Sequence, residues 1–282
     1  MDKIAIVGAG TMGSGIGYVT ATHGYQTSLC DPYPEMLEKA RAYHRRLIDR
    51  AVEKERLTLE GANAYWGRVA YAGDLAAALH EADMVIEAIP EKMGLKKELF
   101  QQLDELARPT AIFGSNTSSL PITELASAVA DPGRVIGTHF FNPAPVMKLV
   151  EIVVGLDTRQ ETVDAVVEFV KSVDKEAVIV KDLPGFVTTR VGLMLVSEAI
   201  LAYQEGIADK ENLDKAMKLG YNLPMGPLAL ADLVGLDVVL HVLDALFDNY
   251  KDPRYRAPIL LRKMVQAGRL GRKTSEGFYT YD

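Results

Sequence analysis

The chain is 282 residues long, 48% hydrophobic and 24% charged, ordinary proportions for a globular protein with its own core. Its 31 basic and 38 acidic residues leave a net charge of −7, which argues against a general nucleic-acid binder but leaves room for an anionic cofactor held by local dipoles. The single cysteine, Cys30, cannot form an internal disulfide or a cysteine cluster for a metal, and no metal site is expected.

At this length two domains are expected, burying roughly three-quarters of the unfolded surface without any staple. The opening MDKIAIVGAG reads as a strand and a turn rather than a signal peptide. No apolar run approaches the roughly 18 residues that span a bilayer. With the lone thiol, these features predict a cytoplasmic protein with no membrane partner.

In chain order, KIAIV (3–7) is the first predicted strand, followed by a glycine turn and a helix over 12–23. QTSLC (26–30) is the second strand and ends in Asp31. A long polar helix follows over 34–55, then a short strand in GRVAYAG (67–73). MVIEAI (84–89) and AIFGSN (111–116) are further strands. Between them a helix over 95–107 sets Leu95, Leu99, Gln102 and Leu106 at helical spacing, and Leu103 extends that apolar stripe. RVIGTHF (134–140) and LVEIVVG (149–155) are two more strands, joined by a loop holding Pro143 and Pro145. A helix over 160–173 and a strand over 177–180 complete this half. The alternation predicts an α/β fold, a Rossmann-type doubly wound parallel sheet with helices on both faces.

From Pro184 the pattern is helical only, with helices over 186–206, 209–219, 227–233, 235–250 and 256–267. The first is apolar around most of its circumference and is expected in a domain core or a subunit interface. The boundary falls at KDLPG (181–185), dividing a domain over 1–183 from an all-α domain over 184–282.

GAGTMG sets Gly8, Gly10 and Gly13 in G-x-G-x-x-G spacing. The bare pattern is weak, but here it follows an apolar strand, opens a helix, and has Asp31 at the end of the second strand. Gly8 permits the tight turn, Gly10 removes a Cβ that would block a pyrophosphate, and Gly13 lets helix and strand pack closely. Asp31 would accept bonds from ribose hydroxyls and repel a 2′-phosphate, so NAD is favoured over NADP. FAD shares the fingerprint, but the chain is short of the sequence a flavin ring needs.

THFFNPAPVMKLVEIV (138–153) sets His139 and Glu151 among apolar residues. Strand parity places Glu151 with Leu149 and Val153 on one face, so it is expected to be buried and to need a partner. The intervening segment is long enough to return the chain and set His139 beside it. A carboxylate fixes the imidazole tautomer and stabilises the imidazolium that forms on proton uptake. Beside a nicotinamide, that pair is equipped to take the hydroxyl proton of an alcohol undergoing oxidation.

SNTSSLPITELA (115–126), THFFNPAPVMKLVEIV (138–153), KDLPGFVTTR (181–190), AMKLGYNLPMGPLALADLVGLD (216–237) and GRKTSEGFYTYD (271–282) together resemble the successive signatures of the L-3-hydroxyacyl-CoA dehydrogenase family. The resemblance spans the chain and is nearest to the short monofunctional, 3-hydroxybutyryl-CoA type. It implies an NAD-dependent oxidoreductase of fatty-acid metabolism and β-oxidation chemistry, acting on an acyl-CoA substrate. It implies that 1–183 binds NAD, and that 184–282 contributes to the substrate cleft and to a homodimer. It makes His139 the catalytic base, Glu151 its orienting carboxylate and Ser118 a contact to the substrate oxygen. On the cofactor side it implies Asp31, Glu91, Lys96, Asn142 and Lys273, with Asn116 at the strand end where the nicotinamide passes. By themselves Glu91, Lys96 and Lys273 read as solvated surface charges.

Two other readings stand beside this one. One is a relative acting on a free hydroxy or sugar acid, as the gulonate branch does; the other is a non-catalytic NAD-binding protein of the lens-crystallin kind. ARAYHRRLIDR (40–50) sets Arg41 and Arg45 on one helix face, able to meet CoA phosphates. The preferred reading of that face is solvated charge paired with Glu38 and Asp49. The sequence departs from the family at Val187-Thr188-Thr189-Arg190, where a substrate-holding asparagine is replaced by Thr189. Threonine offers one hydroxyl instead of an amide, and Thr189 is expected to be an adequate replacement. Thr189→Asn should therefore change kcat/KM on acetoacetyl-CoA by less than about tenfold. A gain of orders of magnitude would show that Thr189 is a defect.

Overall fold

The structure, a computed structural model, describes residues 1–281. It divides into two compact units, Met1–Asp182 and a second beginning at Leu183. In the first unit the elements run β1 (Lys3–Val7), α1 (Thr11–Thr22), β2 (Gln26–Cys30), α2 (Pro34–Glu53), α3 (Leu59–Arg68), β3 (Val69–Ala72), α4 (Leu75–Leu79) and β4 (Met84–Glu87). They continue with α5 (Met93–Leu106), β5 (Ile112–Ser115), α6 (Ile122–Ala126), β6 (Val135–Phe140), β7 (Leu149–Val154), α7 (Gln160–Ser172) and β8 (Glu176–Lys181).

The strands form one sheet in the order β3-β2-β1-β4-β5-β6-β7-β8. Central strands are apolar on both faces, as helix cover on two sides requires: Ile4, Ile6, Met84, Val85 and Ile86 are all buried. The chain winds outward from β1 to β3 and returns to β4. The topological switch therefore lies at the carboxyl ends of β1 and β4, where doubly wound sheets place their ligands.

The first six strands pair in parallel, but β7 is antiparallel to β6 and β8 follows β7 in parallel. The sheet is thus mixed rather than wholly parallel. Residues 141–148 are too few for a crossover helix, so the chain turns and comes back beside β6. The register pairs His139 with Glu151.

Two further expectations are corrected. The predicted strand at 67–73 begins only at Val69, because Gly67 and Arg68 close α3, a helix absent from the sequence reading. Two glycines weaken α3 as a helix, but Thr58 caps it through the Gly61 N–H, and Tyr65 buries its ring against Ala21 and Ile48. In α5 the buried stripe is Lys96, Leu99, Phe100 and Leu103, one position round from the predicted one, and Leu95 and Leu106 are exposed. Cys30 is a buried core residue, and burial beside Asp31 pushes its thiol up to about 11.

The second unit is all helical: α8 (Thr188–Gln204), α9 (Lys210–Gly220), α10 (Pro227–Val234), α11 (Leu236–Tyr250) and α12 (Ile259–Gln266). Leu193, Val196 and Ile200 of α8 enter its core with Leu228, Leu243 and Leu261. Val191 of the same helix is left exposed. Asp214 caps α10 through the Leu228 and Ala229 N–H groups, and Asp232 takes the Phe278 and Tyr279 N–H groups, tying the last residues to the helices. Among the described residues no helix is long and apolar enough to cross a membrane.

Gly137 sits in β6 where a Cβ would lie 2.5 Å from Val153 Cβ. Gly137→Ala should therefore cost about 1–3 kcal/mol through overpacking, read as a lowered midpoint in urea or thermal unfolding. A variant as stable as the parent would show that β6 and β7 can separate freely at this point.

Candidate active site and cofactor loop

The turn after β1 is shaped by close backbone approach. Gly8 has φ +104°, and a Cβ there would lie 2.6 Å from the Ala88 carbonyl oxygen. A Cβ on Gly13 would lie 1.7 Å from the Gly8 carbonyl oxygen, so helix and loop touch without room for any side chain. Gly10 differs: a Cβ there would meet nothing within 4 Å. Its bareness leaves space above the amino end of α1 for a group that approaches the backbone, as a pyrophosphate does. Asp31 is buried, and its carboxylate accepts the Ala9 N–H at 2.8 Å and the Tyr33 N–H at 3.0 Å. It anchors the loop to the end of β2 while keeping lone pairs for a ribose. A cleft of roughly 360 Å³ opens here, lined by Ala9, Gly10, Thr11, Met36, Lys39 and Asn142.

His44, unremarked in the sequence, holds α1 from behind. It is fully buried on α2, with Nε2 2.7 Å from the Ser14 carbonyl oxygen and Nδ1 2.7 Å from the Tyr71 hydroxyl. Burial holds its pKa below the usual histidine range, so a neutral ring donates to Ser14 and accepts from Tyr71. The predicted pairing of Arg41 and Arg45 with Glu38 and Asp49 is not formed among the described residues. Arg41 instead stacks over the Tyr71 ring, 4.8 Å from its centroid.

At the carboxyl ends of β4 and β5 a second network forms. Glu87 and Lys96 are 0% and 1% exposed, far from the solvated charge that Lys96 resembles in isolation. Lys96 Nζ lies 2.6 Å from Glu87 Oε1 and 3.1 Å from Glu91 Oε2. Glu87 also accepts the Ser115 hydroxyl at 2.6 Å and the Ile89 N–H at 2.8 Å. Glu91 Oε1 accepts the Thr117 hydroxyl at 2.6 Å and the Ser118 N–H at 2.9 Å. Ser118 is exposed at this strand end, and Asn116 Oδ1 accepts the Phe140 N–H at 2.9 Å, joining the ends of β5 and β6. Glu87 escaped the sequence reading, although a carboxylate inside the apolar run MVIEAI is the same signal that marked Glu151.

On the next strands, His139 Nδ1 lies 2.8 Å from Glu151 Oε2. Glu151 is 0% and His139 7% exposed, and the His139 ring packs on Phe141 with centroids 4.4 Å apart. A carboxylate only accepts, so Nδ1 carries the proton and Nε2 is the basic nitrogen. The structure thus brings together His139 with Glu151, Glu91 and Lys96 with Ser118, and the three glycines with Asp31 and Asn142. Thr189 and Lys273 belong to the second unit, where Lys273 Nζ pairs with Asp237 at 2.6 Å.

Residues 3–183 match the family model described as "3-hydroxyacyl-CoA dehydrogenase, NAD binding domain", and residues 185–281 match the corresponding C-terminal domain. The chain belongs to the 3-hydroxyacyl-CoA dehydrogenase family. A 3-hydroxybutyryl-CoA dehydrogenase of Clostridioides difficile is 44% identical over 288 residues, covering 99% of each chain. The mitochondrial hydroxyacyl-coenzyme A dehydrogenase of Homo sapiens is 39% identical over all of this chain and 91% of its own length. Among solved structures, an (S)-3-hydroxybutyryl-CoA dehydrogenase from Ralstonia eutropha superposes with a TM-score of 0.97, at 41% identity, covering 100% of this chain and 99% of that one. This member of the family is accordingly an oxidoreductase whose first unit is an NAD-binding domain.

Burial works against the Glu91 charge, but the Lys96 ammonium, the Thr117 hydroxyl and the Ser118 N–H outweigh it and hold Glu91 below its ordinary value of 4.5. A depressed carboxylate contributes stability that is fully present above its ordinary value and is lost as pH falls through the folded value. Thermal midpoints of Glu91→Gln should therefore lie below the parent's at neutral pH, with the gap closing as pH falls below the ordinary carboxyl value and through the depressed folded one. A gap independent of pH would show that the Glu91 charge does not anchor residues 117–119.

Proposed function

We propose that the chain interconverts an L-3-hydroxyacyl-CoA and the 3-oxoacyl-CoA with NAD, the short-chain 3-hydroxybutyryl-CoA being the substrate its relatives' names favour. The observation that carries this reading is the buried contact of His139 Nδ1 with Glu151 at the sheet's carboxyl edge. His139 Nε2 takes the hydroxyl proton of the substrate, and Glu151 stabilises the imidazolium that results. In reverse the imidazolium returns that proton to the carbonyl oxygen. Bound NAD supplies the hydride acceptor. Ser118, exposed at the end of β5 and held by Glu91 through its N–H, contacts the substrate oxygen. Gly8, Gly10, Gly13 and Asp31 hold the pyrophosphate and ribose, while Glu91, Lys96, Asn116 and Asn142 line the nicotinamide side.

Thr189 and Lys273 contribute from the second unit, to substrate and cofactor respectively. That unit also serves as the homodimer surface. Exposed Val191 and Ile207 and an apolar cavity of roughly 240 Å³ between α8 and α9, lined by Leu195, Ala199, Leu213 and Met217, support this. The absence of a membrane-spanning helix among the described residues supports a cytoplasmic setting. A gulonate-type or crystallin-like role has no support from the relatives named above.

His139→Gln should bind NADH as the parent does while losing about 10²–10⁴-fold in kcat on acetoacetyl-CoA, followed by NADH absorbance. Glu151→Gln, which offers an amide hydrogen to Nδ1 and so disfavours the required tautomer, should also lower kcat far more than it raises KM. Unchanged turnover in His139→Gln would exclude the mechanism, and faster turnover of gulonate than of acetoacetyl-CoA would exclude the substrate.

A further inference from the structure

The Glu87–Lys96–Glu91 cluster does more than tie strand ends together. Two carboxylates share a single ammonium, and the other groups bonded to them, Ser115, Thr117, Ser118 and the Ile89 N–H, are neutral. Glu87 and Lys96 are shut off from water, whereas the Glu91 side chain is 37% exposed. Burial limits the screening that would mute such an imbalance on an open surface.

The cluster's place in the fold decides what the extra negative charge faces. It caps the carboxyl ends of β4 and β5, and β4 is the neighbour of β1 across the switch point. The Ala88 carbonyl already abuts Gly8, so the cluster's strand touches the cofactor loop. A dinucleotide at a switch point lies across it, and Asp31 at the end of β2 marks the adenosine side. The nicotinamide half of a bound dinucleotide would then lie over β4 and β5. Its ring is cationic when oxidised and neutral when reduced.

We infer that Glu87 is a positioning residue that sets the net negative charge of this cluster and thereby shifts the site's relative affinity toward the oxidised, cationic cofactor. The inference rests on the NAD-binding reading above. Glu87 reaches the cofactor only through Lys96 and Glu91: it occupies part of the ammonium's charge, leaving Glu91 under-neutralised on its exposed side. The G-x-G-x-x-G fingerprint places no demand on this position: Glu87 lies behind Lys96 and ends a buried strand.

The test is equilibrium binding of NAD⁺ and of NADH, by calorimetry, to the parent, to Glu87→Gln and to the double variant Glu87→Gln/Lys96→Gln. In Glu87→Gln the Kd for NAD⁺ should rise about tenfold relative to the Kd for NADH. The double variant restores the net charge, so its Kd ratio should return to within about threefold of the parent's. If Glu87→Gln does not fold, Glu91→Gln removes the same unit of charge at the exposed side and should move the ratio in the same direction. A ratio unchanged by either single variant, or Kd values for both forms rising together, would overturn the inference and leave the cofactor reading intact. A parent chain that binds neither form would overturn both.

Discussion

A carboxylate without access to water must be hydrogen-bonded or paired where it stands, and this constraint organises the carboxyl edge of the sheet. Glu151 and Glu87 are both fully buried on strands. Left alone, either would cost several kcal/mol, so each has drawn in a donor that becomes part of the site. Glu151 fixes the His139 ring through Nδ1. Glu87 pairs with Lys96 on the buried stripe of α5, and Lys96 in turn holds Glu91 and, through it, the Thr117 hydroxyl and the backbone of residues 118–119. Remove the acids and no surrounding group has a reason to stand where it does.

The geometry of the sheet decides that these groups meet at one edge. In parallel strands the carboxyl ends lie together, which places the Gly8 loop, Ala88 and Asn116 side by side. The reversal at β7 adds what a parallel strand could not. It brings the early residues of β7 to the carboxyl edge, so Glu151 arrives opposite His139 near the end of β6. The turn over 141–148 that causes the reversal also delivers Asn142 to the cofactor cleft. One short connection therefore sets both the His139–Glu151 pair and part of the cleft beside the glycine loop.

Much of this was legible in the residues. Glycines at close backbone approach leave a spacing that survives in sequence, because no other residue tolerates the Gly8 turn or the Gly13 contact. Strand parity exposed Glu151 as a buried acid, since both faces of LVEIVVG are apolar. What parity could not show was strand direction, which depends on the length and path of the loop. The stripe of α5 was misread by one position because Lys96, whose long stem packs as a hydrophobe, stands where periodicity asks for an apolar residue. Lys96 looked like surface charge for the same reason that Glu87 was passed over: each explains the other, and they lie nine residues apart in different elements. α3 escaped because its stability comes from Tyr65 in a tertiary pocket rather than from helix propensity.

The charge arithmetic of the pair also bears on the proposed proton transfer. A neutral imidazole hydrogen-bonded to a carboxylate carries one negative charge as a pair. Oxidation of an alcohol divides its hydrogens into a proton and a hydride, and a low-dielectric site resists any step that leaves new charge behind. In the mechanism proposed above, proton uptake at Nε2 would turn the His139–Glu151 pair from anionic to neutral, while bound NAD would supply the hydride acceptor. No new charge is created in the protein. A histidine without its carboxylate would instead become a lone buried cation at 7% exposure, and the proton would have little reason to leave the substrate. The acid therefore does more than aim the ring. It makes the product state of the proton transfer the less charged one, which is what a buried site can stabilise.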